Sequence, residues 1–112
     1  MNSVNIIGRL VRDPDLRTTS GGKSVANVSL AINRGDDATF IDVTIWGDQA
    51  DNFCKFHTKG DMTAISGRLT QDQWEDRDSG QKRTKIKVTC ESWSFASSKS
   101  ESAPKKRVDV NF

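Results

Sequence analysis

The chain has 112 residues, of which 34% are hydrophobic and 29% charged, and this length is enough for one domain with a single core. No apolar run is long enough to cross a membrane and no secretory signal is evident, so we expect a soluble, intracellular protein. Seventeen Lys and Arg residues against fifteen Asp and Glu give a net charge of +2, which by itself does not indicate a polyanionic partner.

The N-terminal half predicts three strands joined by turns. Val4–Val11 is rich in strand-forming residues, and a long connection with Pro and Gly follows over residues 13–22. Val25–Ile32 and Phe40–Trp46 alternate apolar and polar residues with a period of two, which predicts strands that have one face in a core. Between them, Gly35–Asp37 predicts a short turn.

One helix and two strands are predicted in the second half. Apolar residues recur at helical spacing over Ala50–His57, so a short helix is expected there, with Asp48 as its N-cap and Gly60 as its stop. Met62–Thr70 is rich in strand formers, and Ile86–Cys90 alternates apolar and polar residues. These two segments predict a hairpin.

Three strands, a short helix and two more strands predict an all-β fold, the five-stranded OB-fold barrel with its helix between strands three and four. Gly8 and Gly67 interrupt strands one and four, where a small barrel needs bulges or a close backbone approach. We assign this domain to residues 1–96. Residues 97–112 are rich in Ser and Lys and have no apolar period, so they predict a flexible C-terminal tail ending at Phe112.

Three aromatic residues fall on the polar side of the predicted strands. Phe40 and Trp46 alternate with the core residues of the third strand, and Trp74 is in phase with the polar residues of the fourth. Rings on a polar sheet face suit the bases of single-stranded nucleic acid, each of which contributes roughly 1–3 kcal/mol when stacked. The alternative reading, a second core or an oligomer interface, stays open for these rings.

Charged residues are unevenly distributed along the chain. Residues 77–87 hold five cations and one acid, whereas residues 35–54 hold five Asp and no cation. The basic segment follows Trp74, which favours a groove where cations neutralise phosphates, although a solvated hairpin would have the same composition. The candidate phosphate-binding cations are Arg34, Arg68, Lys82, Arg83, Lys85 and Lys87.

No catalytic or metal-binding pattern stands out in the sequence. The only histidine, His57, lies on the apolar side of the predicted helix, and zinc would need about four ligands at recognisable spacing. Cys54 and Cys90 are expected to be buried thiols. The Asp residues of the third strand and of the helix start are interpreted as capping and solubilising groups rather than as a nuclease metal site. We therefore predict a protein that is not an enzyme, with no cofactor and no metal.

Several short motifs occur in an order and at a spacing typical of one protein family. They are Val4–Leu10, Asp13–Arg17, Ser20–Gly22, Val25–Ala31, Val43–Gly47, Lys59–Gly60, Gly67–Leu69, Trp74 and Gly80–Arg83. Together they cover about residues 1–95 and resemble the bacterial-type single-stranded DNA-binding proteins. No single motif decides the resemblance, and its specificity comes from their order and spacing.

The resemblance implies an OB-fold subunit of a homotetramer that binds single-stranded DNA without sequence preference. Such a protein protects single strands during replication, recombination and repair, in the cytoplasm and in association with the nucleoid. The family carries stacking aromatics at the positions of Phe40, Trp46 and Trp74. It also implies that replication and repair proteins are contacted through a C-terminal tail, which here ends at Phe112.

Three features depart from the family pattern. The connection over residues 33–39 is shorter than the long hairpin of the family, and only one acid, Asp109, lies near the end of the tail, where the family has an acidic tip. Asp42, Asp48 and Asp72 lie where family members commonly carry basic residues beside the rings. Two alternatives therefore stay open: a specialised paralogue that acts as a protein-interaction or primosome factor with weak DNA affinity, and an RNA-binding OB-fold protein.

Overall fold

The structure is a computed structural model that describes residues 1–96, so the predicted tail over 97–112 lies outside the described residues. Within residues 1–96 it contains six strands and one helix. The strands are β1 (Val4–Leu10), β2 (Asp15–Thr18), β3 (Ser24–Arg34), β4 (Asp37–Trp46), β5 (Met62–Glu75) and β6 (Lys82–Phe95). The helix is α1 (Asp48–Phe56), between β4 and β5.

Five of the strands close into a barrel. The sheet order is β1-β5-β6-β4-β3-β2, and β1 pairs again with β3 through Arg9 opposite Ala31 and Leu10 opposite Leu30. All pairings are antiparallel except that of β4 with β6. This closure, with one short helix between the third and fourth barrel strands, confirms the predicted OB-fold.

The five predicted strands are those of the barrel, and one further strand, β2, which was not predicted, forms within the connection after β1. It pairs antiparallel with β3, placing Leu16 opposite Ala26. All four β2 residues are exposed and Leu16 is its only apolar residue, so β2 has no alternation of buried and exposed positions. Strands that are exposed on both faces leave no periodic signal in the sequence.

Helix α1 covers one end of the barrel and begins differently from the prediction. Gly47, with φ 73°, is the N-cap, and Asp48 is the first helical residue, so the prediction that Asp48 caps the helix was wrong. A positive φ at Gly47 is accessible without a Cβ, and its carbonyl accepts the Ala50 amide at 2.9 Å. The helix ends at Phe56, before the predicted stop. Within residues 1–96 no helix has the length and apolarity to cross a membrane.

The core lies between the inner faces of the strands and the buried side of α1. Phe53 is fully buried, and His57 stacks on it with ring centroids 4.0 Å apart, while His57 Nδ1 donates a hydrogen bond to the Phe53 carbonyl at 3.1 Å. The histidine is thus part of the core, as its place on the apolar side of the helix predicted. The buried apolar residues are Leu10, Ala26, Val28, Leu30, Val43, Ile45, Ala50, Phe53, Ile65, Val88 and Cys90.

Gly67 marks the point where two backbones approach most closely. A Cβ built there would lie 2.1 Å from the Thr89 carbonyl oxygen and 2.9 Å from its carbon. The register of β5 against β6 shifts between Ser66 and Gly67, as expected for a bulge that bends a barrel strand. Glycine at this position is therefore required by the close approach.

Beyond the barrel, β5 and β6 continue as a two-stranded extension, the hairpin arm, which comprises residues 69–75 and 82–88. Most of its side chains are exposed, and its strands stay paired from Leu69 opposite Val88 to Glu75 opposite Lys82. Where the arm leaves the barrel, the Asn2 carboxamide donates to the Leu69 carbonyl at 3.0 Å and accepts the Leu69 amide at 2.8 Å. The first residue of the arm is thus hydrogen-bonded to the N-terminal segment.

Candidate nucleic-acid interface

The three rings selected by sequence lie on the outer surface of the sheet. Side chains alternate across a strand, so Val43 and Ile45 of β4 point into the core while Phe40 and Trp46 point outward. The exposed fractions are 67% for Phe40 and 44% for Trp46. Trp74, near the far end of the hairpin arm, is 49% exposed. All three rings are therefore accessible in the described part of the chain.

The rings form separate platforms rather than one cluster. On β4, Trp46 lies opposite Val25 and Phe40 lies opposite Ala31, two residues that are much smaller than a ring. Neither they nor Trp74 contact another aromatic ring within residues 1–96. Each ring can therefore take one base independently of the other two.

A polar groove connects the β4 surface to the hairpin arm. Strands β4 and β6 run parallel there with Thr44 opposite Thr89, and the hydroxyls of Thr89 and Thr70 are 2.9 Å apart, so the outer faces of β4, β6 and β5 are continuous. The groove has a volume of about 280 Å³. Its charged lining residues are Arg12, Asp15, Asp42, Asp72, Lys85 and Lys87.

Two of the predicted phosphate-binding cations lie in this groove, and both are paired with acids. Lys87 Nζ is 2.9 Å from Asp72 Oδ2, and Lys85 Nζ donates to Asp42 Oδ2. The Lys87 side chain is only 21% exposed, whereas the other three side chains of these pairs are more accessible. The groove is therefore charged but locally neutral.

Two arginines on the same sheet are also paired. Arg83 Nη2 lies 3.2 Å from Asp76 Oδ2 at the end of the hairpin arm, and Arg68 Nη1 lies 3.1 Å from Glu91 Oε2. All four side chains are at least partly exposed, so these pairs contribute little to stability. Their effect is to reduce the positive charge that the sequence attributes to this surface.

The remaining two predicted cations, Arg34 and Lys82, have no acidic side chain within 4 Å among residues 1–96. Arg34 ends β3, where a two-residue turn at Gly35 and Asp36 leads directly into β4. Lys82 begins the second strand of the hairpin arm. Of the six candidate cations, the two without an acidic partner thus lie at the ends of the hairpins rather than in the groove.

Asp42 is the centre of a hydrogen-bond network in the groove. Its Oδ1 accepts the Ser29 hydroxyl at 2.8 Å, and the Ser29 oxygen accepts Arg12 Nη2 at 2.8 Å. The hydrogen bond from Lys85 is the main reason why the pKa of Asp42 lies below its usual value; partial burial opposes this, and Ser29 and Arg12 act in the same direction as Lys85. Asp42 is therefore ionised at neutral pH and fixed in position.

The sequence analysis places Asp42 and Asp72 beside the rings but does not predict that they pair with Lys85 and Lys87. When the two strands of the arm pair about the turn at residues 77–80, Trp74 lies opposite Arg83 and Asp72 lies opposite Lys85. This register alone predicts an acid beside the lysines of the arm. The contact of Asp42 with Lys85 joins β4 to β6 across 43 residues. That contact requires the sheet order, which alternation along single strands does not provide.

The two cysteines within residues 1–96, Cys54 and Cys90, are both free thiols. Cys90 is buried, as predicted, and its burial raises the pKa of its thiol to about 11, with Glu91 adding to the shift. Cys54 is only partly buried; desolvation, then Asp51 and Asp15, raise the pKa of its thiol. Within residues 1–96 no three His, Cys, Asp or Glu side chains are grouped so that they could hold a metal ion.

Comparison with known families agrees with this geometry. The profile of the "Single-strand binding protein family" matches residues 1–96, which is the whole of the OB-fold barrel with its hairpin arm. The chain belongs to this family. The match includes all three exposed rings and all six candidate cations of this family member.

Curated relatives of this family member carry corresponding names. It is 37% identical over 97 residues to the "Single-stranded DNA-binding protein" of Treponema pallidum, a match that covers 80% of this chain and 54% of that protein. It is 39% identical over 102 residues to "Single-stranded DNA-binding protein 2" of Listeria monocytogenes, covering 85% and 63%. The Wolinella succinogenes "Single-stranded DNA-binding protein" is 37% identical over 110 residues, covering 90% and 67%. The chain thus spans between about half and two thirds of these relatives.

Proposed function

We propose that this chain binds single-stranded DNA without sequence preference, by stacking bases on Phe40, Trp46 and Trp74. One observation carries the proposal: three exposed rings occupy the outer face of an OB-fold sheet in a chain that the family profile matches over residues 1–96. Every base has a π face, and each stacked base contributes roughly 1–3 kcal/mol. Stacking therefore supplies affinity without discriminating between bases.

Phosphate contacts are the second part of the proposed binding mode. Arg34 and Lys82 have no acid within 4 Å in the described chain, so they are available to phosphates without losing a partner. The paired cations on the same sheet are the further candidates. They are Arg68, Arg83, Lys85 and Lys87. Each phosphate neutralised on a single strand lowers log K by about 0.7 per unit of log salt, so the salt dependence counts these contacts.

The proposed role requires binding alone, with no chemical step, cofactor or metal. A protein bound along a single strand keeps that strand from pairing and from nucleases, which is the protection needed during replication, recombination and repair. We place this role in the cytoplasm, at the nucleoid, where such strands arise in bacteria.

Titration with oligo-dT, oligo-rU and duplex DNA, followed by tryptophan fluorescence at several salt concentrations, tests the proposal. Trp46 and Trp74 are exposed and should be quenched by stacking, whereas Trp93 packs edge-on against Phe53 at 5.4 Å and should respond less. We expect strong quenching by oligo-dT and little by duplex DNA. No quenching at low salt would contradict the proposal, and preferential quenching by oligo-rU would favour an RNA-binding protein.

We further propose that the chain assembles as a homotetramer, through an interface that includes β1. Over Val4–Gly8 this strand pairs with β5 on one edge, while β3 reaches only Arg9 and Leu10 on the other. Next to the open edge, Ile7 is 53% exposed and lines a shallow groove of about 540 Å³ together with Ala64. An open strand edge beside exposed apolar surface supports association with other copies.

Sedimentation of an Ile7→Glu variant tests the assembly. A charge placed in the β1 interface should release dimers or monomers, because it would be buried without a partner. Leu16→Glu is the matched control, since Leu16 is also an exposed apolar strand residue but lies on β2, on the opposite edge of the sheet. Equal sedimentation of both variants and the parent chain would contradict the proposed interface.

We also propose that the segment ending at Phe112, which lies outside the described residues, contacts replication and repair proteins. The family match over residues 1–96 and the polar, Ser- and Lys-rich composition of residues 97–112 support this. A chain shortened after residue 96 should keep its affinity for oligo-dT and lose capture of such proteins. Capture that is unchanged by the truncation would contradict this assignment.

A further inference from the structure

We propose that Asp42 and Asp72 determine the affinity and the salt dependence of the polar groove, by competing with DNA phosphates for Lys85 and Lys87. This inference rests on the proposed function, because it concerns how the same surface receives a single strand. It assigns a role to two acids that lie among the binding residues but that no stacking or phosphate contact would use.

The pair of Asp42 with Lys85 keeps its acid in place. The carboxylate has a second oxygen that accepts the Ser29 hydroxyl at 2.8 Å, and Ser29 is itself held by Arg12 at 2.8 Å. Lys85, by contrast, has a flexible side chain that is 53% exposed. When Lys85 turns to a phosphate, Asp42 therefore stays behind as a fixed negative charge in the groove.

The pair of Asp72 with Lys87 is arranged in the opposite way. The Lys87 side chain is only 21% exposed, while the Asp72 side chain is 51% exposed, and the two atoms that pair are 2.9 Å apart. The cation is thus the confined partner and the acid is the mobile one. A phosphate that reaches Lys87 must displace the Asp72 carboxylate toward solvent.

In both pairs, phosphate binding exchanges one ion pair for another. Exposed pairs are individually weak, so the net gain from each exchange is small. The acid that is left behind attracts a cation from solution, which offsets the counterion that the DNA releases. Each paired lysine should therefore add less than the usual 0.7 per phosphate to the salt dependence.

Two charge-neutralising variants test this directly. Asp42→Asn and Asp72→Asn keep the side-chain shape and remove the competing charge. In oligo-dT titrations at low salt we expect each variant to bind about 3- to 10-fold more tightly than the parent chain, with a plot of log K against log salt that is steeper by up to about 0.7. Thermal unfolding of both variants checks that the fold is retained.

Asp51→Asn is the matched control for the change in net charge. Asp51 is exposed on α1, outside the groove, and within residues 1–96 its carboxylate has no ion pair or hydrogen bond. We expect its affinity to stay within about twofold of the parent chain and its salt dependence to be unchanged, because Asp51 occupies no lysine that the DNA would use. An equal gain from Asp51→Asn would overturn the proposal.

A double-mutant cycle separates competition for a lysine from simple repulsion of DNA. If Asp42 acts by occupying Lys85, most of the gain from Asp42→Asn should disappear in a Lys85→Gln background. A gain of the same size in that background would overturn the proposal.

The failure of this inference can be distinguished from the failure of the proposed function. If the parent chain binds oligo-dT while Asp42→Asn and Asp72→Asn bind no better than Asp51→Asn, the competition is rejected and the proposed function stands. If neither the parent chain nor any variant binds oligo-dT at low salt, the proposed function is rejected and this inference with it.

Discussion

Strands β5 and β6 run through both the barrel and the hairpin arm, yet different interactions fix their side chains in the two regions. In the barrel, Ile65 and Gly67 of β5 are buried against the core. In the arm, Gln71 and Gln73 of the same strand face are exposed, while the antiparallel pairing with β6 continues without a break to Glu75. The antiparallel pairing is thus common to both regions, and its one register shift, at Gly67, lies in the barrel. Packing constrains residue choice in the barrel, whereas charge pairing and ring exposure dominate in the arm.

The largest expected effect is on stability, and it comes from a substitution in the barrel at Gly67. Gly67→Ala places a Cβ 2.1 Å from the Thr89 carbonyl oxygen, so two paired backbones must move apart. We expect a loss of roughly 3 kcal/mol or more in the free energy of unfolding. Urea denaturation measures this change.

Gly21→Ala is the control for the glycine substitution. Its Cβ would meet only the Thr19 hydroxyl, at 4.0 Å. The free energy of unfolding should therefore change by no more than about 0.5 kcal/mol. Equal stability of the Gly67 and Gly21 variants would show that the barrel tolerates expansion at the bulge.

In the hairpin arm, the next largest effect is expected from Trp74→Ala, which removes the exposed ring. Since the ring is about half exposed and contacts no other ring in the described chain, its loss should leave the unfolding transition nearly unchanged. Affinity for oligo-dT should fall by roughly 1–3 kcal/mol, the contribution of one stacked base. Gln73→Ala, on the other face of the arm, should leave affinity as it is. Unchanged binding by Trp74→Ala in an intact assembly would remove this ring from the site.

A smaller effect, on the pH dependence of stability, is expected at the groove, where the arm meets β4. The pKa of Asp42 is held below its usual 3.8, chiefly by the hydrogen bond from Lys85. A lowered folded-state pKa means that the ionised carboxylate stabilises the fold above the unfolded-state value and that this stability is lost as the pH falls through the folded-state value. The Tm difference between the parent chain and Asp42→Asn should therefore shrink below about pH 4. A difference that grows on acidification would contradict the pairing.

Most of the barrel was predictable because burial on one face leaves a local trace. The alternation in Val25–Ile32 and Phe40–Trp46 follows from strands with one face in a core, and the structure extends both segments without changing their phase. Strand β2 leaves no such trace, since both of its faces are exposed. The start of α1 was not predictable in this way. Asp48 has the side chain that favours an N-cap, but the helix is capped by Gly47, whose backbone has a positive φ.

In the candidate site, too, features that follow from one strand were predictable and features that depend on neighbouring strands were not. Parity along one strand was enough to predict that Phe40 and Trp46 face outward, and their exposure agrees with it. The charge state of the surface was not predictable in this way, because an ion pair such as Asp42 with Lys85 depends on which strands are neighbours in the sheet. Whether the rings and cations bind DNA stays a prediction for the titrations.

The carboxamide of Asn2 has a mechanical consequence for the distant ring. Its two hydrogen bonds to Leu69 act where the arm leaves the barrel, and Trp74 is five residues further along, a lever of about 17 Å at the rise of an extended strand. A rotation of only about 10° at this pivot would carry the indole through about 3 Å, close to the thickness of a stacked base. The second residue of the chain thereby helps to aim a ring that it does not touch.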